Sequence, residues 1–148
     1  MATLPVRIKL LRDTARLPAY QSEHAVGCDL YADLPTPVEL SPGERRLIPT
    51  GIAIEPADNV AVLLFARSGL ASKHGIALAN SVGVVDPDYR GEIMVALINH
   101  SDTPYVIHHG ERIAQMGFFP FLQADFLPAD DLSQTERGSG GFGHTGKG

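Results

Sequence analysis

Asp86 is the residue of this sequence best placed for acid–base chemistry. It follows an apolar run, residues 82–85, and precedes a Pro-Asp turn and Tyr89. A carboxylate at the end of a strand can accept a proton from water if it faces a site rather than solvent. The alternative is a plain turn begun by Asp86, which explains residues 86–88 but leaves Tyr89 and the earlier Asn80 without a reason.

Arg67, Ser68 and Gly69 form a second candidate, a phosphate site. They stand at the start of the one helix that the sequence predicts, residues 68–75, and Ser68 is expected to cap its first turn. A helix N-terminus presents free N–H groups, and an arginine can donate two hydrogen bonds to phosphate oxygens. An ordinary Ser-capped helix beside a solvated arginine explains these residues equally well.

Asp29 lies inside an apolar run, residues 25–32, and Arg112 and Gln115 stand in the later segment 110–116. A strand-end carboxylate with local backbone hydrogen bonds would explain Asp29 by itself. Arg112 and Gln115 have odd spacing and are expected on opposite faces of a strand. Because an arginine is seldom buried without a carboxylate partner, we expect an ion pair between Arg112 and Asp29.

Several other kinds of site are disfavoured by the sequence. The Walker pattern of P-loop proteins and the nucleophile elbow of serine hydrolases are absent. His108 and His109 are adjacent and lack the spacing of metal ligands. Cys28, the single cysteine, excludes an intramolecular disulfide and is expected to be a small buried apolar residue. With no signal-peptide pattern at the start, we expect a cytoplasmic protein.

The elements that position these residues are predicted to be strands. Proline or glycine recurs every few residues from Pro5 to Pro128, which leaves stretches too short for ordinary helices. A hairpin is expected to join residues 82–85 to a return strand from Glu92. The fold class is therefore all-β, a sandwich or barrel with one short helix. The predicted strands are residues 6–10, 47–54, 59–66, 92–99 and 113–119.

Length and charge bound the class of protein further. The chain has 148 residues, of which 44% are hydrophobic and 20% charged, and a net charge of −5. This composition is that of one folded domain. An acidic chain is not expected to bind nucleic acid or an anionic membrane through bulk electrostatics. Because of this net negative charge, any anionic ligand would be held by a few placed groups. The apolar runs of the chain are too short to span a membrane.

The last segment, residues 137–148, differs in composition from the rest. From Gly138 onward it holds six glycines in eleven residues and one aromatic, Phe142. Ordering eleven residues costs roughly 10–20 kcal/mol, against about 1.5–3 kcal/mol from burying one phenylalanine. Composition alone favours a flexible terminus. The alternative is a lid whose glycine amides wrap an anion while Phe142 covers an apolar or aromatic ligand.

In their order and spacing, these segments resemble the five motifs of the trimeric dUTP diphosphatases, the dUTPases. The resemblance covers residues 25–143 and is most specific in Gly-Val-Val-Asp-Pro-Asp-Tyr-Arg-Gly and in the tail. It implies a jelly-roll-like subunit, the dUTPase β-clip, with a β domain over residues 1–136 and a Gly-rich lid over 137–148. It also implies a homotrimer whose active sites are shared between subunits.

The resemblance implies an activity and roles for single residues. The activity is Mg²⁺-assisted hydrolysis of dUTP to dUMP and diphosphate, which limits uracil in DNA and supplies dUMP for dTMP synthesis. Asp86 would be the general base that activates water for attack on the α-phosphorus. Arg67 and Asp29 would be further catalytic groups, and Arg112 would support the site. The implied substrate-binding residues are Ser68, Gly69, Asn80, Gly83, Val85, Tyr89, Gln115, Arg137, Phe142 and Gly143.

Specificity is implied by a few of these residues. Asn80 and the backbone through Gly83 would read uracil, Tyr89 would pack under deoxyribose, and Phe142 would stack on the base. A ribose 2′-hydroxyl would collide with the tyrosine ring or be desolvated without a partner. Arg137 would contact the γ-phosphate. Phosphates and water, rather than side chains directly, would hold Mg²⁺.

Two other functions would fit parts of this sequence. A dCTP deaminase of the same fold superfamily would differ in its base-handling residues and would lack the combination of Asp86, Tyr89 and the Phe142 tail. A non-catalytic β-sandwich that binds a nucleotide or a protein would not need a water-activating Asp86.

Overall fold

The computed structural model describes residues 3–141, so the predictions for Phe142 and Gly143 lie outside the described residues. Strands dominate the described part of the chain, which also contains one short helix. In chain order the elements are β1 (Arg7–Leu10), β2 (Cys28–Tyr31), β3 (Val38–Leu40), β4 (Arg45–Pro49), β5 (Ile52–Glu55), β6 (Val60–Phe65), α1 (Ser68–His74), β7 (Ile76–Leu78), β8 (Gly83–Val85), β9 (Met94–Asn99), β10 (Tyr105–Ile107) and β11 (Arg112–Pro120).

The strands pair antiparallel throughout the described residues. The largest sheet has the order β2-β11-β6-β8, and a second has the order β4-β9-β7. Two smaller sheets pair β1 with β5 and β3 with β10. The predicted all-β class with one short helix is confirmed. Within residues 3–141, no helix has the length and apolar character needed to cross a membrane.

One hydrophobic core of the described residues draws buried side chains from all four sheets. Buried and half-buried residues alternate along β6 and β9, so each strand turns one face to the core. Val62 and Leu64 of β6 share that core with Val95 and Leu97 of β9. Cys28 belongs to it as predicted: its thiol donates to the Met116 carbonyl at 3.3 Å, and burial raises the pKa of the thiol.

The prediction of a single strand over residues 47–54 is wrong, because the extended segment is interrupted at Gly51. This glycine has a φ of 71°, in the left-handed region that other residues rarely adopt. A Cβ at this position would also lie 2.5 Å from the Cβ of Ala15. The two halves therefore become separate strands in different sheets: β4 pairs with β9, and β5 pairs with β1.

The predicted hairpin between residues 82–85 and the strand from Glu92 is also wrong. The turn itself is present, and the Tyr89 N–H donates to the Asp86 carbonyl at 3.1 Å. Its flanking strands nevertheless pair elsewhere, β8 with β6 and β9 with β7 and β4. Gly83 lets β8 lie close against β6, since a Cβ there would come 2.9 Å from the Leu64 Cβ. The segment with Asp86 and Tyr89 thus crosses between two sheets.

Helix α1 begins at Ser68, the first residue of the predicted range, but the predicted capping role of Ser68 is wrong. Its N-cap is Arg67, with extended backbone and no side-chain hydrogen bond to the helix, so Ser68 is the first helical residue and not the cap. The Ser72 hydroxyl donates to the Ser68 carbonyl at 2.7 Å. Gly75 ends the helix in the left-handed conformation, as predicted, with a φ of 68°.

Candidate active site

A buried carboxylate, Asp29 on β2, gathers three of the predicted site residues. Its side chain is 1% exposed. Arg112 Nη1 lies 3.1 Å from Oδ2, and Arg67 Nε lies 3.3 Å from Oδ1. Gln115 Nε2 is 3.5 Å from Oδ1. The expected ion pair between Arg112 and Asp29 is confirmed, and the second arginine further offsets the desolvation of the buried charge.

An irregularity in β11 brings Arg112 and Gln115 to the same carboxylate. Gln115 lies opposite Asp29 in the pairing of β11 with β2, and Arg112 lies opposite Tyr31, with a shift in register between Arg112 and Ala114. A bulge adds a residue to one strand and reverses the alternation of faces beyond it. The expectation that Arg112 and Gln115 point to opposite faces is therefore wrong.

Arg67 links this cluster to the start of α1. Its Nη1 donates to the Arg112 carbonyl at 3.1 Å, while its Nε is buried without a hydrogen bond to any described residue. Ser68 and Gly69 follow it on an exposed turn, and the space where a Gly69 Cβ would stand is open. Since the first N–H groups of a helix lack helical partners, this corner combines backbone donors with two guanidinium groups, which suits an anion such as phosphate.

A second group of predicted residues lines a cavity of about 220 Å³. Asp86 follows β8 on the exposed rim, and Tyr89 faces the same space with 46% of its surface exposed. The Tyr89 hydroxyl donates to the Glu92 carbonyl at 3.0 Å. The lining residues are Val84, Val85, Asp86, Tyr89, Glu92, Ile93 and Met94.

Asn80 and Gly83 lie next to this cavity in the chain but do not line it. The Ala79 N–H donates to the Ala96 carbonyl at 2.8 Å, and this hydrogen bond extends the pairing of β7 with β9. Asn80 is the next residue in the chain. Ser81 then turns the chain with a φ of 63°, and the buried Gly83 begins β8. The two residues are therefore held by backbone geometry at the entry to the segment that carries Asp86.

The Asp29 cluster and the Asp86 cavity lie at opposite corners of the four-stranded sheet. Asp29 lies opposite Gln115 of β11, which in turn lies opposite Phe65 at the end of β6. Asp86 follows Val85 of β8, which lies opposite Val62 of β6. Asp29 and Asp86 are therefore separated by three strand spacings across the sheet and by four residues along the strands, which corresponds to a diagonal distance of about 20 Å. At this separation, Asp29 and Asp86 of one chain do not meet at one reacting atom.

Arg137 is separate from both groups in sequence and in its contacts. It is exposed, and its Nε donates to the Gly140 carbonyl at 2.8 Å within its own segment. The chain that leads to it, from residue 121 onward, carries large apolar side chains that are almost fully exposed, among them Leu122 at 97% and Phe126 at 88%. Phe142 and Gly143 are outside the described residues.

Sequence reasoning missed a polar network beneath the cavity. Arg12 contacts the carboxylates of both Asp33 and Glu92. Burial alone would raise the pKa of Asp33, but hydrogen bonds from Thr14 and Arg12 hold it below its ordinary value. The hydrogen bond from Arg12 likewise lowers the pKa of Glu92. Asp33 stands between Ala32 and Leu34, an acid among apolar residues like Asp29, and this signal was available.

The oxygen donors present are compatible with a magnesium ion that arrives with a polyphosphate. Among residues 3–141, no three His, Cys, Asp or Glu side chains lie close enough together to hold a metal ion. Both oxygens of Asp29 face arginines, whereas Asp86 stands on an exposed rim. Mg²⁺ keeps several waters and is commonly bound through substrate phosphates and one or two carboxylates, so this donor set fits it.

Comparison with known proteins places these residues in a family context. The family model described as dUTPase matches residues 13–146. A deoxyuridine 5'-triphosphate nucleotidohydrolase of Desulfitobacterium hafniense is 52% identical, with 99% of each chain covered. The enzyme of the same name from Shewanella oneidensis is 46% identical, with 96% of this chain and 97% of the relative covered.

Solved structures show the same fold. A mutant dUTPase of Staphylococcus bacteriophage 80alpha with dUpNHpp superposes with a TM-score of 0.89 at 26% identity, covering 98% of this chain and 100% of that one. A mutant dUTPase of phage phi11 of S. aureus, solved for the coordination of a structural Mg(II) ion, gives a TM-score of 0.80 at 20% identity over 88% of this chain and 99% of that one. This likeness confirms the expected dUTPase-like fold of strands with one short helix.

Proposed function

Because the chain belongs to the dUTPase family, we propose that it hydrolyses dUTP to dUMP and diphosphate with Asp86 as the base. The observation that carries this proposal is the cavity in which Val85, Asp86 and Tyr89 come together at the end of β8. It gives a nucleoside an apolar wall, an aromatic ring and a carboxylate on one rim. The reaction would limit uracil in DNA and supply dUMP for dTMP synthesis, in the cytoplasm.

The chemical step needs one proton acceptor and an orderly displacement at phosphorus. The Asp86 carboxylate accepts a proton from water as the water oxygen bonds to the α-phosphorus. The bond from that phosphorus to the bridging oxygen breaks, and its electron pair leaves with diphosphate. Positioning and charge stabilisation dominate phosphoryl chemistry, so a single carboxylate suffices for the proton.

Charge on the phosphates is stabilised by groups at the other corner of the sheet. Arg67, Ser68 and the N–H groups around Gly69 bind phosphate oxygens, and Gln115 adds an amide donor. Asp29 and Arg112 hold Arg67 and Gln115 in place through the contacts described above. Mg²⁺, carried by phosphate oxygens and water, would supply further charge neutralisation at the leaving diphosphate.

A complete site requires more than one subunit under this proposal. Asp86 and the Asp29 cluster are about 20 Å apart in one chain by the strand spacings above, too far for both to act on one α-phosphate. A neighbouring subunit that presents its Asp86 to this chain's Arg67 resolves the separation. The exposed Leu122 and Phe126 support such an assembly, since large apolar groups are seldom left in water on a single chain. We propose a homotrimer with shared sites.

A substrate panel tests the activity. We expect diphosphate release from dUTP with Mg²⁺ and much slower release from UTP, dTTP and dCTP, because Tyr89 excludes a 2′-hydroxyl and the backbone through Gly83 reads uracil. Diphosphate detection with each nucleotide measures this. Release of ammonia from dCTP, without diphosphate from dUTP, would instead indicate a deaminase, and binding of dUTP without turnover would indicate a non-catalytic nucleotide-binding module.

The tail provides a second test, since we propose residues 137–148 as a lid over bound nucleotide and residues 1–136 as the β domain. Stacking an aromatic ring on a base contributes about 1–3 kcal/mol. Deleting every residue after Arg137 should therefore lower kcat/KM for dUTP by roughly 5- to 150-fold and leave the thermal unfolding of the protein unchanged. Deleting only residues 144–148 is the matched control, because it keeps Phe142. Equal activity of the two truncated forms would contradict the lid.

A further inference from the structure

The Tyr89 ring is fixed at two points by the backbone that follows it. Its hydroxyl donates to the Glu92 carbonyl at 3.0 Å. Its ring lies directly over Gly91, where a Cβ would come 2.5 Å from Cζ and 2.9 Å from Cε2. The position of the ring therefore depends on where residues 91 and 92 are held.

Glu92 is held by contacts with two other segments of the chain. Its carboxylate accepts from the Gly51 N–H at 2.8 Å, at the kink between β4 and β5. Arg12 pairs with both of its oxygens, with Nη1 at 3.2 Å from Oε2 and Nη2 against Oε1. A planar guanidinium on a carboxylate fixes direction as well as distance, so Glu92 has little freedom to move.

Arg12 is in turn anchored by a buried acid. Its Nε donates to Asp33 Oδ2 at 2.6 Å, and the Asp33 side chain is 4% exposed. Thr14 donates to the other oxygen at 2.7 Å, and His109 Nδ1 lies 3.6 Å from it. A continuous chain of contacts thus runs from the core, through Arg12 and Glu92, to the backbone under Tyr89.

The contacts of Arg12 and Glu92 are better suited to holding Tyr89 in position than to stabilising the fold. In the pair between Arg12 and Glu92 the side chains are 42% and 22% exposed, and an ion pair so close to solvent adds little to stability. Small displacements of a group that packs on a substrate, by contrast, have large effects on rate and selectivity. We propose that Arg12 and Glu92 are positioning residues that set the discrimination between deoxyribose and ribose nucleotides through the Tyr89 ring. This inference rests on the proposed function, in which Tyr89 packs under the sugar.

The test is the selectivity ratio, kcat/KM for dUTP divided by kcat/KM for UTP. We expect Arg12→Ala and Glu92→Ala each to lower this ratio about tenfold, within the range for one pocket contact, mainly by raising kcat/KM for UTP. The double variant should lower it no further, because both residues act through one chain of contacts. Glu92→Gln should keep most of the ratio, since its amide oxygen still accepts from Gly51 and Arg12.

Controls separate positioning from folding and from the proposed function. The ratio does not depend on how much of a preparation is folded, so partial unfolding cannot mimic the effect. Arg7→Ala removes another exposed ion pair, 2.8 Å to Glu55, from the same end of the chain and should leave the ratio unchanged. A wild-type protein without preference for dUTP would overturn the proposed function and this inference together. A selective wild-type protein whose Arg12→Ala and Glu92→Ala variants keep its ratio would overturn this inference alone.

Discussion

Replacement of Asp86 by asparagine is expected to lower kcat for dUTP by about 10²–10⁴-fold, the usual contribution of a general base. Asparagine has nearly the shape of aspartate but cannot accept the proton of the attacking water. Binding should survive, because the cavity keeps its apolar wall and the Tyr89 ring. Single-turnover hydrolysis, together with titration of the non-hydrolysable dUpNHpp, measures the two effects separately.

Asp88→Asn is the matched control for this substitution. Asp88 is exposed on the same turn, and its replacement removes the same charge two residues away. It should leave kcat within about twofold of the wild-type protein, as expected for a surface change away from the chemistry. Full turnover by Asp86→Asn, or an equal loss from both variants, would remove Asp86 as the base.

Mixing two inactive variants is expected to restore activity. An Asp86→Asn chain keeps the Asp29 corner intact, and an Arg67→Ala chain keeps the Asp86 corner intact. If each site takes one corner from each of two neighbours, random assembly of equal amounts completes about one site in four. Co-refolded mixtures should therefore recover about a quarter of the wild-type kcat per chain, starting from nearly none.

The same experiment decides whether sites are shared at all. If Asp86 and Arg67 served one site within a chain, every chain of the mixture would remain defective and activity would not rise. Asp86→Asn combined with Arg67→Ala in one chain, mixed with Asp86→Asn, is the negative control, because no Asp86 is then present. Light scattering of each sample should show the same assembled mass.

The strands were largely predictable, whereas their partners were not. Apolar, β-branched runs predicted residues 59–66, 92–99 and 113–119, and β6, β9 and β11 occupy nearly those ranges. The partner of a strand is chosen by the three-dimensional core, however. Local turn signals could not show that β8 pairs with β6 rather than with β9. The break at Gly51 depends on one backbone angle, which the pattern of apolar residues does not encode.

The contacts of the candidate site were likewise predictable from the sequence only in part. The Asp29 to Arg112 pair was predicted on the ground that a buried arginine needs a carboxylate. In the structure the buried partner is the Asp29 carboxylate, while the Arg112 side chain is 41% exposed. The approach of Gln115 to that same carboxylate depends on a bulge and was not predictable. Arg12 and Glu92 are 80 residues apart in sequence, and no local spacing connects them. The distance between the Asp29 corner and Asp86 appears only when the sheet order is known.

The contacts of Asp29 with Arg67 and Arg112 belong to the folded chain itself and are formed before any ligand binds. Each long side chain that a ligand must immobilise costs about 0.5–1.5 kcal/mol of rotational freedom on binding. Here that entropy is lost during folding, when the bulge of β11 and strand β2 close around the carboxylate. Under the proposed function, the affinity for a triphosphate depends on the local rigidity of this strand pair, and loosening the bulge should weaken ligand binding at temperatures well below those that unfold the chain.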